Sequence, residues 1–394
     1  MTLPDTTILT SLVERVFRIE DVTSGDPHRG VIARYRGRLL SEDTAAAYDQ
    51  LADPLKQYNI TPLFRSEPNG RHVILLTPRP PAPRPARVSI NIILFILTVL
   101  SVMLAGIQPE TQPPPDVQGQ MLYMIRNIFT GWPFAVSLLS ILLAHEFGHY
   151  LMSRYHKTAA TLPYFIPLPF SPLGTMGAAI LMQQTPKNKR ILFDIGVAGP
   201  LAGVVVAIPV LFIGLMMSSL DVIQQSPGVY LEGNSLFYLF AKYLVFGQLL
   251  PAPVSTGGLP LWLYWLRYFF TGSPMPFGGM DVFIHPVAFA GWAGLLVTAL
   301  NLLPAGTLDG GHLVYALFGE KASKAFPVLM VILGVLGFFW NGWWLWAVIL
   351  LWLGRVHAQP LDQITPLDPK RRLVAILTLV LFVLVFSPVP FVVF

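Results

Sequence analysis

Cysteine is absent from all 394 residues. That excludes disulfides, iron–sulfur clusters and thiolate zinc sites, so any metal must be held by His and carboxylate ligands. Charge is scarce as well: Asp, Glu, Lys and Arg make up 12% of the chain, against 54% hydrophobic residues and a mean hydropathy of +0.59. Such a composition excludes an ordinary water-soluble protein and points to an integral membrane protein. Residues 1–87 hold 12 of the 26 basic and 10 of the 21 acidic groups, so the remainder has the charge density of a membrane domain. The net charge of +5 forms no basic stripe. Its groups flank apolar runs, which excludes nucleic acid and makes the lipid bilayer the expected partner. The opening "MTLPDTTILTSLVERVF" shows neither a signal-peptide pattern nor an Arg-rich transit pattern.

What is present divides into three parts. Residues 1–78 read as a small soluble α/β domain. Ile8, Leu12 and Val16 recur at helical spacing, and "FRIEDV" and "GVIARYRGRLL" read as strands. Ser41 with Glu42 and Asp43 opens a helix that places Tyr48, Leu51 and Leu55 on one face. "ITPLF" and "HVILLT" flank an Asn69-Gly70 hairpin turn. Residues 79–87, within "PRPPAPRPAR", form a polyproline linker whose arginines suit a headgroup layer. Residues 88–394 form the membrane domain. Spans are expected near 88–107, 132–153, 191–215, 286–303 and 373–387, each close to the ~20 residues a bilayer requires. A run from 325 to 354, broken at Asn341-Gly342, reads as a helical hairpin, because Lys321 and Lys324 precede it while Arg355, Lys370, Arg371 and Arg372 follow it. The fold class is thus an α-helical polytopic membrane protein of about six to seven spans with an N-terminal α/β domain. Positive-inside counting also places Arg79, Arg84, Arg87, Arg154, Lys157, Lys187, Lys189 and Arg190 inside, so the soluble domain is expected on the cytoplasmic side; the membrane expected is the bacterial cytoplasmic membrane, with a plastid membrane as the alternative.

Two stretches resist a helical reading. "LPYFIPLPFSPLGTMGAAILMQQTP" carries Pro163, Pro167, Pro169 and Pro172 and reads as a β-hairpin dipping into the interface. Within 217–283, "LPLWLYWLRYFF" is too short to span and is expected to lie in the interface.

One apolar run carries chemistry. In "AVSLLSILLAHEFGHYLMSRYH", His145, Glu146 and His149 form H-E-x-x-H. Residues i and i+4 share a helix face, so both imidazoles reach one zinc, with Glu146 placed to take a proton from zinc-bound water. The competing reading is a pair of hydrogen-bonded histidines inside a bundle. Three polar groups in one apolar turn favour the metal, which satisfies all of them. A third ligand is needed. His156 is one position away from the soluble zincin spacing, and Asp194 reads as a first-turn carboxylate offsetting a helix dipole. Asp309, in "NLLPAGTLDGG", precedes Gly310 and Gly311, which permit close backbone approach. Asp-Gly is equally a turn dipeptide, so both readings stand, with the need for one more ligand favouring the metal.

"HEFGH" together with "NLLPAGTLDGG" (301–311) resembles the site-2 protease family of intramembrane zinc metalloproteases. "FDIGVAGPLAG", "FAGWAGLLVTALNLLPAGTLDGG" and "GTMGA" are similar to its chloroplast and cyanobacterial-type branch, the ethylene-dependent gravitropism-deficient and yellow-green proteases. The resemblance implies one Zn²⁺ per chain on His145, His149 and Asp309, and Glu146 as general base. Asn301 would then support an oxyanion or tie two helices together. Gly174, Thr175 and Gly177 would offer an edge strand to substrate. His312 reads as a hydrogen-bonding or interfacial histidine. The implied substrates are transmembrane segments of other membrane proteins. A metal transporter and a catalytically silent scaffold of the same fold are the rival readings.

Overall fold

Every residue except 1–5, 26–29, 68–69, 83–86, 108–115, 225–229, 355–358 and 394 is described by the structure, a computed structural model. Asn69 of the hairpin turn, Arg84 of the linker and Arg355 beyond the long apolar run lie outside the described residues.

The N-terminal region comprises α1 (Thr6–Glu14), β1 (Phe17–Ser24), β2 (Ala33–Leu39), α2 (Thr44–Leu55), β3 (Ile60–Ser66) and β4 (His72–Pro78). Its sheet is antiparallel in the order β1-β2-β4-β3. Alternation along β2 and β3 sends Tyr35 and Phe64 into one core with Tyr48, Leu51 and Leu55 of α2. The inner face of α1 is Leu9, Leu12 and Val13, not the Ile8-Leu12-Val16 repeat. The helix ends at Glu14, which leaves Ile8 exposed and Val16 buried beyond it. The cap of α2 is likewise Asp43 rather than Ser41: the Asp43 carboxylate accepts from Ala46 N–H, while the Ser41 hydroxyl accepts from Asp43 N–H.

The remaining helices are α3 (Val88–Ala105), α4 (Val117–Asn127), α5 (Trp132–Tyr155), α6 (Lys189–Met216), α7 (Leu236–Phe246), α8 (Leu261–Thr271), α9 (Pro286–Asn301), α10 (Asp309–Phe318), α11 (Ala325–Leu336), α12 (Gly342–Leu353) and α13 (Pro369–Val385). Between them run β5 (Tyr164–Pro167), β6 (Thr175–Ala179), β7 (Ser219–Val222), β8 (Tyr230–Glu232), β9 (Met280–Phe283) and, last, β10 (Phe391–Val393). Helices α5, α6 and α9 form the centre, sharing Leu138, Leu142, Val204, Leu211, Leu295 and Ala299. Glycine brings them close: a Cβ on Gly291 would lie 2.6 Å from Leu211 Cα, and one on Gly214 would lie 2.0 Å from Ala288 N. Packing of this kind drives helix association in lipid, where apolar contact alone gives little preference.

Three stretches, Val88–Ala105, Gln118–Tyr155 and Lys189–Met216, are long and apolar enough to cross a membrane. Helices α9, α11, α12 and α13 have 16, 12, 12 and 17 residues. The 325–354 run folds as two helical arms, α11 and α12. Leu333, Leu336, Trp343 and Leu350 join across them in one core, and the Trp344 indole lies against Gly337. The proline-rich stretch is a β5–β6 hairpin. Beyond the far end of α6, β10 pairs with β8 and β7 with β9.

Beside β8 and β9 lies a buried charge cluster. The Tyr238 hydroxyl donates to Glu232 at 2.8 Å, and Lys242 Nζ lies 3.4 Å from Asp281. Burial and the Asp281 carboxylate push the Glu232 carboxyl up to about 7, against the pull of Lys242 and Tyr238. A carboxyl raised in the folded state contributes stability that is full below its unfolded value of about 4.3 and is lost as pH rises through 7. The melting temperature in detergent is therefore expected to fall by a few °C between pH 5 and 8. Glu232→Gln should flatten that dependence, and an unchanged slope would place its origin elsewhere.

Candidate metal centre

Helix α5 is largely apolar, and His145, Glu146 and His149 bring three buried polar groups to one of its turns. Asp309 reaches them from the first position of α10, after a tight loop that leaves α9 at Asn301. That loop explains the two glycines. A Cβ on Gly310 would lie 1.9 Å from the Leu302 carbonyl oxygen, and one on Gly311 would lie 2.4 Å from that of Gly306.

The ligand atoms form a nearly equilateral triangle. His145 Nε2 and His149 Nε2 are 3.2 Å apart, and Asp309 Oδ2 is 3.3 Å from each. Tetrahedral zinc with bonds of ~2.0–2.1 Å requires neighbouring ligand atoms about 3.3 Å apart. The donor set therefore fits zinc in chemistry and in spacing, with a fourth position left open. His149 Nδ1 sits 2.7 Å from the Ile195 carbonyl oxygen, which fixes the ring and leaves Nε2 for the metal. Among the described residues this is the one group of three or more His, Cys, Asp or Glu side chains close enough to hold an ion.

Helix α6 makes room for both imidazoles. A Cβ on Gly199 would lie 2.0 Å from His149 Nε2, one on Gly203 3.3 Å from His145, and one on Gly196 3.0 Å from His312 Cβ. The glycines of "GVAGPLAG" thus line up along one helix face beneath three histidines, and Gly148 of α5 abuts the Ala198 carbonyl in return. Glycine recurring every three or four residues in an apolar helix is the signal that could have revealed this packing from sequence.

The triangle opens onto a cleft of about 690 Å³, lined also by Glu146, Asn301, Thr307 and His312. Asn301 Nδ2 lies 3.3 Å from His145 Nε2. The cleft is also lined by residues 178–186, which continue from the end of β6 through a bridge at Met182. Gly174, Thr175 and Gly177 are not in that lining. Gly174 is pressed on Ser101 and Val102 of α3, and the Thr175 hydroxyl is bonded to the carbonyl oxygens of Ile166 and Gly177. Asp194 does not offset the dipole of a first helical turn. Asn188 caps α6, and Asp194 lies one turn further on, bound by Arg371 of α13 at 2.6 and 2.7 Å and by His156 at 2.9 Å. Both Asp194 and His156 are thus committed to joining α5, α6 and α13, away from the triangle.

A helical membrane protein with a His-His-Asp ligand set of two buried imidazoles and a partly buried carboxylate, open to a cleft that a glutamate also lines, is the class that this geometry defines. Residues 133–337 match the family described as Peptidase family M50, and the chain belongs to that family. It is 32% identical over 318 residues to the rice (Oryza sativa subsp. japonica) "Probable zinc metalloprotease EGY1, chloroplastic", which covers 76% of this chain and 50% of that protein. The Arabidopsis thaliana protein of the same description is 30% identical over 76% of this chain and 53% of its own length. A second rice protein (Oryza sativa subsp. indica), "Probable zinc metalloprotease EGY2, chloroplastic", is 26% identical over 96% and 66%. The chain spans about half the length of the first two relatives.

Proposed function

We propose that the protein is an intramembrane zinc metalloprotease that hydrolyses peptide bonds in or near transmembrane segments of other membrane proteins. The observation that carries this reading is the 3.2–3.3 Å triangle of His145, His149 and Asp309 beside Glu146 in one cleft. One zinc per chain would supply Lewis acidity there, for water and for the scissile carbonyl. Glu146 takes the proton of the attacking water and passes it to the leaving amine. Asn301 donates its amide N–H to the oxygen that gains charge as the carbonyl is attacked. The substrate lies extended beside residues 178–183, which line the cleft and are paired on their inner side, Ala178 and Ala179 with Phe165 and Tyr164 and residues 181–183 with 159–161. The basic groups around α6 and α13 support a cytoplasmic N-terminal domain.

The test is cleavage of a single-span substrate by the full chain in liposomes. Asn301→Ala should slow cleavage about 10²–10³-fold, the usual loss for one oxyanion donor. Zinc should stay near one per chain by elemental analysis. A parent protein that moves metal across the liposome and cleaves nothing would be a transporter. One that binds zinc and does neither would be a silent scaffold.

A further inference from the structure

The segment 359–365 touches the cleft at Gln359 and ties the N-terminal sheet to the chain entering α6. Strand β3 is the edge of the N-terminal sheet, and its outer edge is occupied. Phe64 N–H donates to the Leu361 carbonyl at 2.9 Å, and Gln363 N–H to the Phe64 carbonyl at 3.0 Å. The other side of the same segment is bonded to the chain entering α6: Leu361 N–H to Pro186 O at 3.0 Å, Asp362 N–H to Lys187 O at 2.7 Å. Asp362 forms parallel bridges with both Phe64 and Asn188.

The N-terminal domain holds this strap firmly. Leu361 and Ile364 pack on its core, and Arg65 Nη1 donates to the carbonyls of Pro360 and Leu361 at 3.2 and 2.7 Å. The hydroxyls of Thr44 and Thr365 meet at 2.7 Å, and Lys187 pairs with Asp49. Asp362 is fully buried and accepts from the N–H groups of Ile364 and Thr365 and from the Thr365 hydroxyl, which fixes the strap's own shape. Gln359, the first residue of the strap, lines the cleft together with Gln183, Gln184, Thr185 and Pro186. Amides and a hydroxyl at a rim hydrogen-bond to any extended backbone and select no particular charge.

We propose that the N-terminal domain, through the strap 359–365, sets the width of the cleft mouth and is the specificity element of the protease. Substrates enter when the chain flanking their transmembrane segment is extended, and folded domains placed directly beside the segment are kept out. The proposal rests on the protease reading above, and its test separates the two.

The natural absence of cysteine makes the test clean. In metal-free full-length protein, Thr307→Cys places one thiol in the cleft, to be labelled with a small and a polymer-linked maleimide. Adding Arg65→Ala should raise labelling by the large reagent about tenfold relative to the small one, the change expected from losing one charge-assisted hydrogen bond. In zinc-loaded protein, the same Arg65→Ala should raise cleavage of a substrate with a folded flank by a similar factor relative to one with an unfolded flank. Oxidised Thr44→Cys/Thr365→Cys, locking the strap to α2, should abolish cleavage of the folded-flank substrate and spare the other. If Arg65→Ala does not fold, the locked pair, oxidised against reduced, still decides. Equal ratios in all arms overturn the gate. Altered labelling with no cleavage of either substrate upholds the gate and removes the protease.

Discussion

Glu146→Gln is expected to retain one zinc per chain while peptide hydrolysis falls about 10²–10⁴-fold, the usual worth of a general base. The amide keeps the shape of the carboxylate but cannot accept a proton from water. Glu146 shares the cleft with the triangle without belonging to it. Asp309→Ala should behave differently: removing one corner of the triangle lowers metal content and activity together. Zinc per chain by elemental analysis, measured beside cleavage of a transmembrane substrate, separates the two roles. A Glu146→Gln protein that cleaves as fast as the parent would remove Glu146 from the chemistry.

Gly199→Ala is expected to deplete zinc by at least about tenfold in a protein that still purifies as a single folded species, a loss at least as large as that for disturbed ligand support. The added methyl carbon would sit 2.0 Å from His149 Nε2, and the ring cannot retreat because Nδ1 is held by the Ile195 carbonyl. Gly203→Ala is the internal comparison. Its methyl would lie 3.3 Å from His145, so zinc should fall less. Titration of the purified variants with a chromophoric zinc chelator gives both affinities. Equal affinity in the two would mean that α6 does not shape the site.

The sequence by itself determined the parts governed by local periodicity and by the cost of polarity in lipid. His145, Glu146 and His149 could be placed on one turn because 3.6 residues per turn puts i and i+4 on one face. The break at Asn341-Gly342 and the prolines of 163–172 could be read because both act on their own neighbourhood. What failed locally was helix phase: Ile8 and Leu9 differ by one position, and only packing against Tyr35 and Leu51 decides which faces inward.

Tertiary structure alone decided the rest. Asp309 is 160 residues from His149, and no local rule separates a turn aspartate from a ligand until α9 and α10 bring it 3.3 Å from both imidazoles. Asp194 reads as a carboxylate offsetting a helix dipole and His156 as one position off the zincin spacing; both prove to belong to a cluster with Arg371, because which charge meets which depends on how α5, α6 and α13 pack. The strap is the extreme case. Its sequence, "QPLDQIT", carries no periodicity, and its shape comes from the edge of β3 and the chain entering α6, which lie about 300 and 170 residues away along the chain and meet only in the folded protein.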